Sequence, residues 1–232
     1  MSDDEEDTNA ERPETPPDVL PIFPLTGVLL LPGGRLPLYI FEPRYCNLLD
    51  DVLAGDRCMG LVQPMIADRR DNRGESEDDA PEIYPVGCVG FVAHHEELPN
   101  ERYVVLLEGW CRFRIEEEID LHRGYRRVRA AYRDFQSRDE HMAAQPPESV
   151  AAEPLLDALR RFGDRQSLEI EMDQLSDVSG MDLLNGLAMA LPFQPAEKQA
   201  LLEAPDLSTR QELLLALLEM GVDPSGDVHL TN

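Results

Sequence analysis

The sequence predicts an α+β chain: a β-rich first half, folded as a small barrel or a pair of curved sheets with one inserted helix, followed by a helical bundle. Three observations carry this. Around 111–116 and 127–133, apolar and polar residues alternate with a period of two, the signature of half-buried strands. Beyond residue 149 the apolar residues recur at helical spacing. Prolines and glycines break the first half at short intervals, as in proteins built from many short strands. The 232 residues, 42% of them hydrophobic, suffice for one sizeable core or two modest ones.

Residues 1–18 carry 8 acids and 1 base with little apolar content, and are expected to be a disordered, solvating tail. Residues 19–135 form the predicted β domain. VLLL (28–31) and LPLYIF (36–41) read as strands flanking a Pro32-Gly33-Gly34 turn. Prolines in such strands belong at edges and bulges, where no ladder bond is lost. Phe41-Glu42-Pro43-Arg44-Tyr45 reads as a strand-to-helix junction, because Pro43 suits the first helical position. Tyr45, Leu48, Leu49, Val52 and Leu53 then fall on one helical face, and Gly55 ends the run.

MGLVQPMI (59–66) and VGCVGFVA (86–93) read as strands around an acidic stretch, 68–82, expected to be a mobile loop. RYVVLLEG (102–109) reads as a short buried run. In the next strand Cys111, Phe113 and Ile115 face inward, with Arg112, Arg114 and Glu116 on the wet face. Val128, Ala130 and Tyr132 repeat this against Arg127, Arg129 and Arg133. Residues 136–148 are polar, with Pro146-Pro147, and make a linker. Residues 149–222 are the predicted bundle, with stripes Leu155, Leu156, Leu159, Phe162 and Leu184, Leu187, Ala188, Leu191; 223–232 are a tail. Ser208 or Thr209 is expected to cap the last helix.

The formal net charge is −25, and the acidic excess sits in 1–18 and in 136–232 (18 acids, 6 bases); 19–135 is nearly balanced, with 20 acids and 14 bases. This disfavours general nucleic-acid affinity and anionic membranes. The N-terminus is acidic where a signal peptide is basic, and no run approaches the roughly 18 apolar residues of a membrane span. A cytoplasmic protein with no membrane association is expected. Cys46, Cys58, Cys88 and Cys111 form no CxxC pair and read as buried free thiols rather than zinc ligands.

No phosphate-binding loop, dinucleotide fingerprint, nucleophile elbow or HExxH is present, so no catalytic residue, metal or cofactor is expected. His94-His95-Glu96-Glu97, at a strand end and alternating sides, reads as a solvated loop tip, and Glu116-Glu117-Glu118 with Asp120 as a solvated hairpin end. Arginines 112, 114, 123, 126, 127, 129 and 133 crowd what reads as one hairpin. They are either an outer face paired with carboxylates or a grip for an acidic partner or RNA. Trp110, the single tryptophan, is either a core anchor or a ligand platform.

LPIFPLTGVLLLPGGRLPLYIFEPRY (20–45) resembles the N-terminal substrate-binding domain of Lon proteases. The matching motif positions are Phe23-Pro24-Leu25, Leu31-Pro32-Gly33, Leu36-Pro37-Leu38, Ile40-Phe41-Glu42 and Arg44-Tyr45. YPVGCVGFV is similar to a later strand of that family, with Cys-Val-Gly a departure. LEGWCRFRIEE is similar to its G-RFRI segment through Gly109, Arg112, Phe113, Arg114 and Ile115. The helical pattern of 187–220 also matches, so the resemblance covers about 19–220.

The resemblance implies a PUA-like β pseudobarrel followed by a helical bundle. It also implies recognition of unfolded or damaged polypeptides, or their delivery to a separate protease. The ATPase and Ser–Lys peptidase modules of a full Lon protease have no counterpart here, so a stand-alone, non-enzymatic member is expected. The expected contact residues are Leu36 and Leu38 on the proline-rich edge. The alternative, RNA binding through the PUA-like fold, uses the hairpin residues Arg114, Arg126, Arg127 and Arg129.

Overall fold

The computed structural model describes residues 11–65, 81–100, 102–135, 150–166, 168, 170–175 and 177–221. The predicted linker (136–148), the 223–232 tail and all but Pro81 and Glu82 of the predicted acidic loop lie outside these residues.

Among the described residues six strands form one mixed sheet: β1 (Val19–Pro24), β2 (Arg35–Ile40), β3 (Cys58–Val62), β4 (Val86–Leu98), β5 (Arg102–His122) and β6 (Tyr125–Ala131). Their order is β2-β5-β4-β3-β1-β6, and β6 also pairs with β5. Five strands, β5-β4-β3-β1-β6, therefore close on themselves and leave β2 as a sixth strand outside the ring. β1 and β3 run parallel; the other pairs are antiparallel. Closure depends on the length of β5. Its first half pairs with β2 and β4, its second with β6, and bulge-like register shifts let it turn the corner. The two separate runs expected over 102–116 are thus one 21-residue strand.

Leu20, Ile22, Val89, Phe113 and Val128 belong to a buried cluster within the ring. Gly60 and Gly87 make room for the Phe113 ring, which lies 2.7 Å from where either Cβ would stand. VLLL (28–31), expected to be a strand, is instead a buried loop. Its backbone lies against Gly109, where a Cβ would be 2.0 Å from the Leu31 carbonyl oxygen. The turn after it docks on the same residue, with Gly33 N–H donating to Gly109 O and Gly109 N–H to Gly34 O, both at 2.8 Å. A third strand there has no free ladder to join, so its apolar residues are buried by side-chain packing alone.

Helix α1 (Pro43–Leu53) follows β2 with Pro43 in its first turn, as the junction predicts. The bundle comprises α2 (Ala152–Gln166), a 3-10 turn (Met172–Leu175), α3 (Gly180–Ala190), α4 (Pro195–Glu203) and α5 (Leu207–Met220). Asp206, not Ser208 or Thr209, caps α5; its carboxylate accepts the Thr209 N–H at 2.8 Å.

Barrel and bundle share one core. A single cluster of buried residues runs from Phe23, Leu30, Leu48 and Leu107 to Leu159, Phe162, Leu184, Leu201 and Leu214. Polar side chains cross the same boundary. Gln63 donates to Pro195 O (3.1 Å), Gln199 to Val86 O (3.0 Å) and Asn185 to Pro32 O (3.0 Å). Arg112, assigned by alternation to the wet face, is only 1% exposed. It donates to Leu202 O (3.0 Å) and Ala204 O (2.6 Å), and its guanidinium lies 4.7 Å from the Phe135 ring centre. That face of β5 is covered by α4, which a single strand's alternation cannot reveal.

Residues 11–18, read as part of a solvated tail, lie against the barrel. Arg12 sits 4.7 Å over the ring of Trp110, which is buried, and Tyr132 donates to Pro17 O. Trp110 is a core residue, not an open platform.

Candidate functional site

Among the described residues β2 has a strand neighbour on one side only, and its pairing with β5 sets Pro37 opposite Leu106 and Tyr39 opposite Val104. Period-two alternation turns Leu36 and Leu38 inward, half-buried against the main core. Their neighbours face out. Tyr39 is 48% and Phe41 54% exposed, with ring centres 5.7 Å apart. Val104 is exposed beside them, and Arg102 donates to the Tyr39 hydroxyl at 3.1 Å. An exposed Leu or Val alone is ordinary, but a paired aromatic patch at a sheet edge is a candidate recognition surface. The expectation for this edge named Leu36 and Leu38; the exposed side chains are Tyr39 and Phe41, on the opposite face.

At its other end β2 borders a groove of about 500 Å³ between barrel and bundle. The Gly33-Gly34 turn, Leu36 and Pro37 form one wall; Asp182, Asn185, Gly186 and Met189 of α3 form the other. Asn185 is 4% exposed.

The arginine hairpin is an array of ion pairs. Arg114 meets Asp134 (2.9 Å), Arg133 meets Glu116 (3.1 Å), Arg129 meets Glu117 (3.7 Å) and Arg126 meets Glu118. Arg127 donates to the Asp120 carbonyl (3.2 Å). Arg123 closes onto α1 through Asp51 (2.5 Å) and Asn47 (3.0 Å). Each arginine thus has a carboxylate or carbonyl from this chain, and phosphate would have to displace it. Glu116, Glu117 and Glu118 are on the hairpin as expected, and their partners are these arginines. His94-His95-Glu96-Glu97 lies within β4 rather than at a loop tip, with His95 Nδ1 3.4 Å from Arg57 Nη2.

The motif residues Pro24, Arg44 and Tyr45 gather at a smaller pocket of about 190 Å³ with Pro64, Tyr125 and Arg126. Arg44 is held by Glu42 (2.8 Å) and stacks 4.5 Å over Tyr45, whose ring packs edge-on against Phe23 at 4.3 Å. Pro32, Gly33 and Gly109 are in the turn-to-β5 contact already described, Phe113 is in the ring core, and Leu25 packs against the main core. These motif residues hold the junction together.

The titratable groups with displaced pKa values are structural. Burial and a hydrogen bond to Asp50 push the Tyr103 phenol up to about 12; burial and Asp51 do the same for Tyr125. Partial burial pulls Asp51 up, but hydrogen bonds from Tyr125 and Arg123 outweigh it and hold the carboxyl low. Burial, with Asp56 nearby, pushes Cys58 up to about 12, so its thiolate is scarce. All four cysteines are buried. Among the described residues no group of His, Cys, Asp and Glu is arranged to hold a metal, and no helix is long and apolar enough to cross a membrane.

The model of the ATP-dependent protease La (LON) substrate-binding domain matches residues 19–220. The chain belongs to the Lon substrate-binding domain family. Lon protease 2 of Myxococcus xanthus is 26% identical over 203 residues, covering 87% of this chain and 24% of that protein. Lon protease of Escherichia coli K12 is 24% identical over 214 residues, covering 88% of this chain and 25% of its own length. The chain thus spans about a quarter of the length of the curated Lon proteases it matches. The Lon N-terminal domain protein of Xanthomonas campestris superposes with a TM-score of 0.56 at 23% identity, covering 85% of this chain and 97% of that one. The N-terminal domain of a Mycobacterium avium complex Lon protease gives 0.55 at 15% identity, with 87% and 98% covered. At these identities the superpositions establish the Lon N-terminal fold, and the family match makes it a substrate-binding domain.

Proposed function

We propose that this Lon-family chain is a non-catalytic polypeptide-recognition module. It holds extended apolar segments of unfolded or damaged proteins and adapts them to a separate protease. The outer face of β2 and β5 is the receiving surface. The observation that carries this reading is the exposed Tyr39–Phe41 pair beside a strand edge that no described residue pairs with. Aromatic side chains there supply contact area at low entropic cost and accept many sequences. Pro37 on that edge offers no N–H, so side-chain capture outweighs strand addition along β2. The family match and the self-neutralised arginines favour a polypeptide over RNA.

The test is binding of a labelled, permanently unfolded protein, its native form and single-stranded RNA, at low and moderate salt. Selective, salt-tolerant capture of the unfolded chain, weakened about tenfold by Tyr39→Ser with Phe41→Ser, supports the reading. RNA preference that disappears with salt sinks it and makes the hairpin the site.

A further inference from the structure

The groove between β2 and α3 carries three features that the fold itself does not explain. Gly186 lies inside α3, where glycine costs about 1 kcal/mol relative to alanine. Nothing stands within 4 Å of its Cβ position, and its backbone is not left-handed, so neither packing nor conformation requires it. Next to it, Asn185 is 4% exposed; its Nδ2 donates to Pro32 O, while its Oδ1 has no partner. A buried acceptor left unpaired costs about 1–3 kcal/mol. At the far side, Arg35 is neutralised by Glu108 at 2.9 Å. Asp182 is met by the Ser179 hydroxyl at 2.7 Å, with no cation paired to it among the described residues.

We infer that this groove is a peptide subsite. It takes an extended, apolar polypeptide segment whose backbone N–H donates to Asn185 Oδ1, whose backbone passes over Gly186, and whose basic side chain meets Asp182. This rests on the polypeptide-recognition reading and deepens it. An amide N–H satisfies the orphan acceptor, and the missing side chain at Gly186 provides the close approach that a peptide backbone needs. Met189, packed on Gly34, is the flexible wall that yields to admit it. The subsite is continuous with the exposed face: β2 leads from the groove at Pro37 to Phe41, about 13 Å at strand rise. One segment of about eight residues therefore reaches both, the groove setting register and the aromatic pair adding area.

The experiment uses the full chain and reduced, alkylated lysozyme, with overlapping labelled peptides from the same sequence. Gly186→Leu fills the groove from an exposed helix position and favours the helix, so folding is retained. It is expected to weaken peptide capture about tenfold, whereas Gly186→Ala gives a smaller loss. Asp182→Asn, which keeps the contact with Ser179, is expected to remove the preference for peptides with Lys or Arg. In the best-binding peptide, N-methylation at one backbone position is expected to weaken binding about tenfold, and at its neighbours much less. Unchanged capture by Gly186→Leu overturns the subsite while leaving the aromatic face standing. No capture by the unsubstituted chain overturns both readings.

Discussion

Arg112 of β5 donates to the Ala204 carbonyl at the end of α4, 92 residues further along the chain. The guanidinium is buried, and Leu202 O is its second acceptor. Arg112→Met leaves two carbonyls without a donor at the barrel–bundle boundary. A loss of about 3 kcal/mol is expected, measured by urea unfolding. Arg112→Lys restores only part of this, because one ammonium cannot reproduce the planar fork. A variant as stable as the parent would show that packing and the other boundary hydrogen bonds join the two halves without Arg112.

Gly109→Ala tests the seat of the Gly33-Gly34 turn. A methyl there would lie 2.0 Å from Leu31 O, and a backbone atom cannot swing aside as a side chain can. The turn must lift from β5 and lose its paired hydrogen bonds. The expected cost is about 3 kcal/mol by thermal or urea unfolding. Gly27→Ala offers a contrast: space is open there, and its cost comes from a φ of +72° alone.

Tyr103 and Tyr125 tie α1 to the barrel through Asp50 (2.9 Å) and Asp51 (2.7 Å). Both phenols have folded pKa values of about 12 against 10.0 unfolded. Their neutral forms are favoured in the fold. The stability they contribute is therefore fully present below about pH 10 and is lost as pH rises through about 12. Urea unfolding at increasing pH across that window should show a falling midpoint, flattened in the Tyr103→Phe, Tyr125→Phe double variant. Asp51 acts in the opposite direction: its carboxyl is held low, so its contribution is lost as pH falls below the ordinary carboxylate range.

The arginine hairpin should tolerate single losses. Arg129 and Glu117 are 3.7 Å apart and both well exposed. Arg129→Ala is expected to change stability by less than about 0.5 kcal/mol, because solvent screens such a pair. A larger loss would mean that the hairpin charges act as a network.

Much of the fold was legible because it rests on local chemistry. Pro43 opens α1 since a first-turn residue needs no N–H partner. The period of two around Phe113 and Val128 marks the strands, and the stripes at Leu155–Phe162 and Leu184–Ala188 mark helices α2 and α3. The motif at 20–45 pointed to the Lon family, and the domain match over 19–220 shows it. At the candidate site, the sequence indicated the edge near Pro37 but not its exposed pair, Tyr39 and Phe41. Tyr39 stands opposite Val104 of β5, and Phe41 lies just past the strand end.

By itself the sequence determined element types, the strand-to-helix junction and the acidic character of the chain, all of which depend on neighbours within a few residues. Only the tertiary structure decided that 102–122 is one strand bent around a closed ring, that VLLL is a buried loop and that Arg112 is interior. It alone brought Asn185 and Gly186 against the Gly33-Gly34 turn. The last three depend on contacts between residues some 76 to 153 positions apart, and nothing in a residue's immediate neighbours encodes which distant surface will cover it.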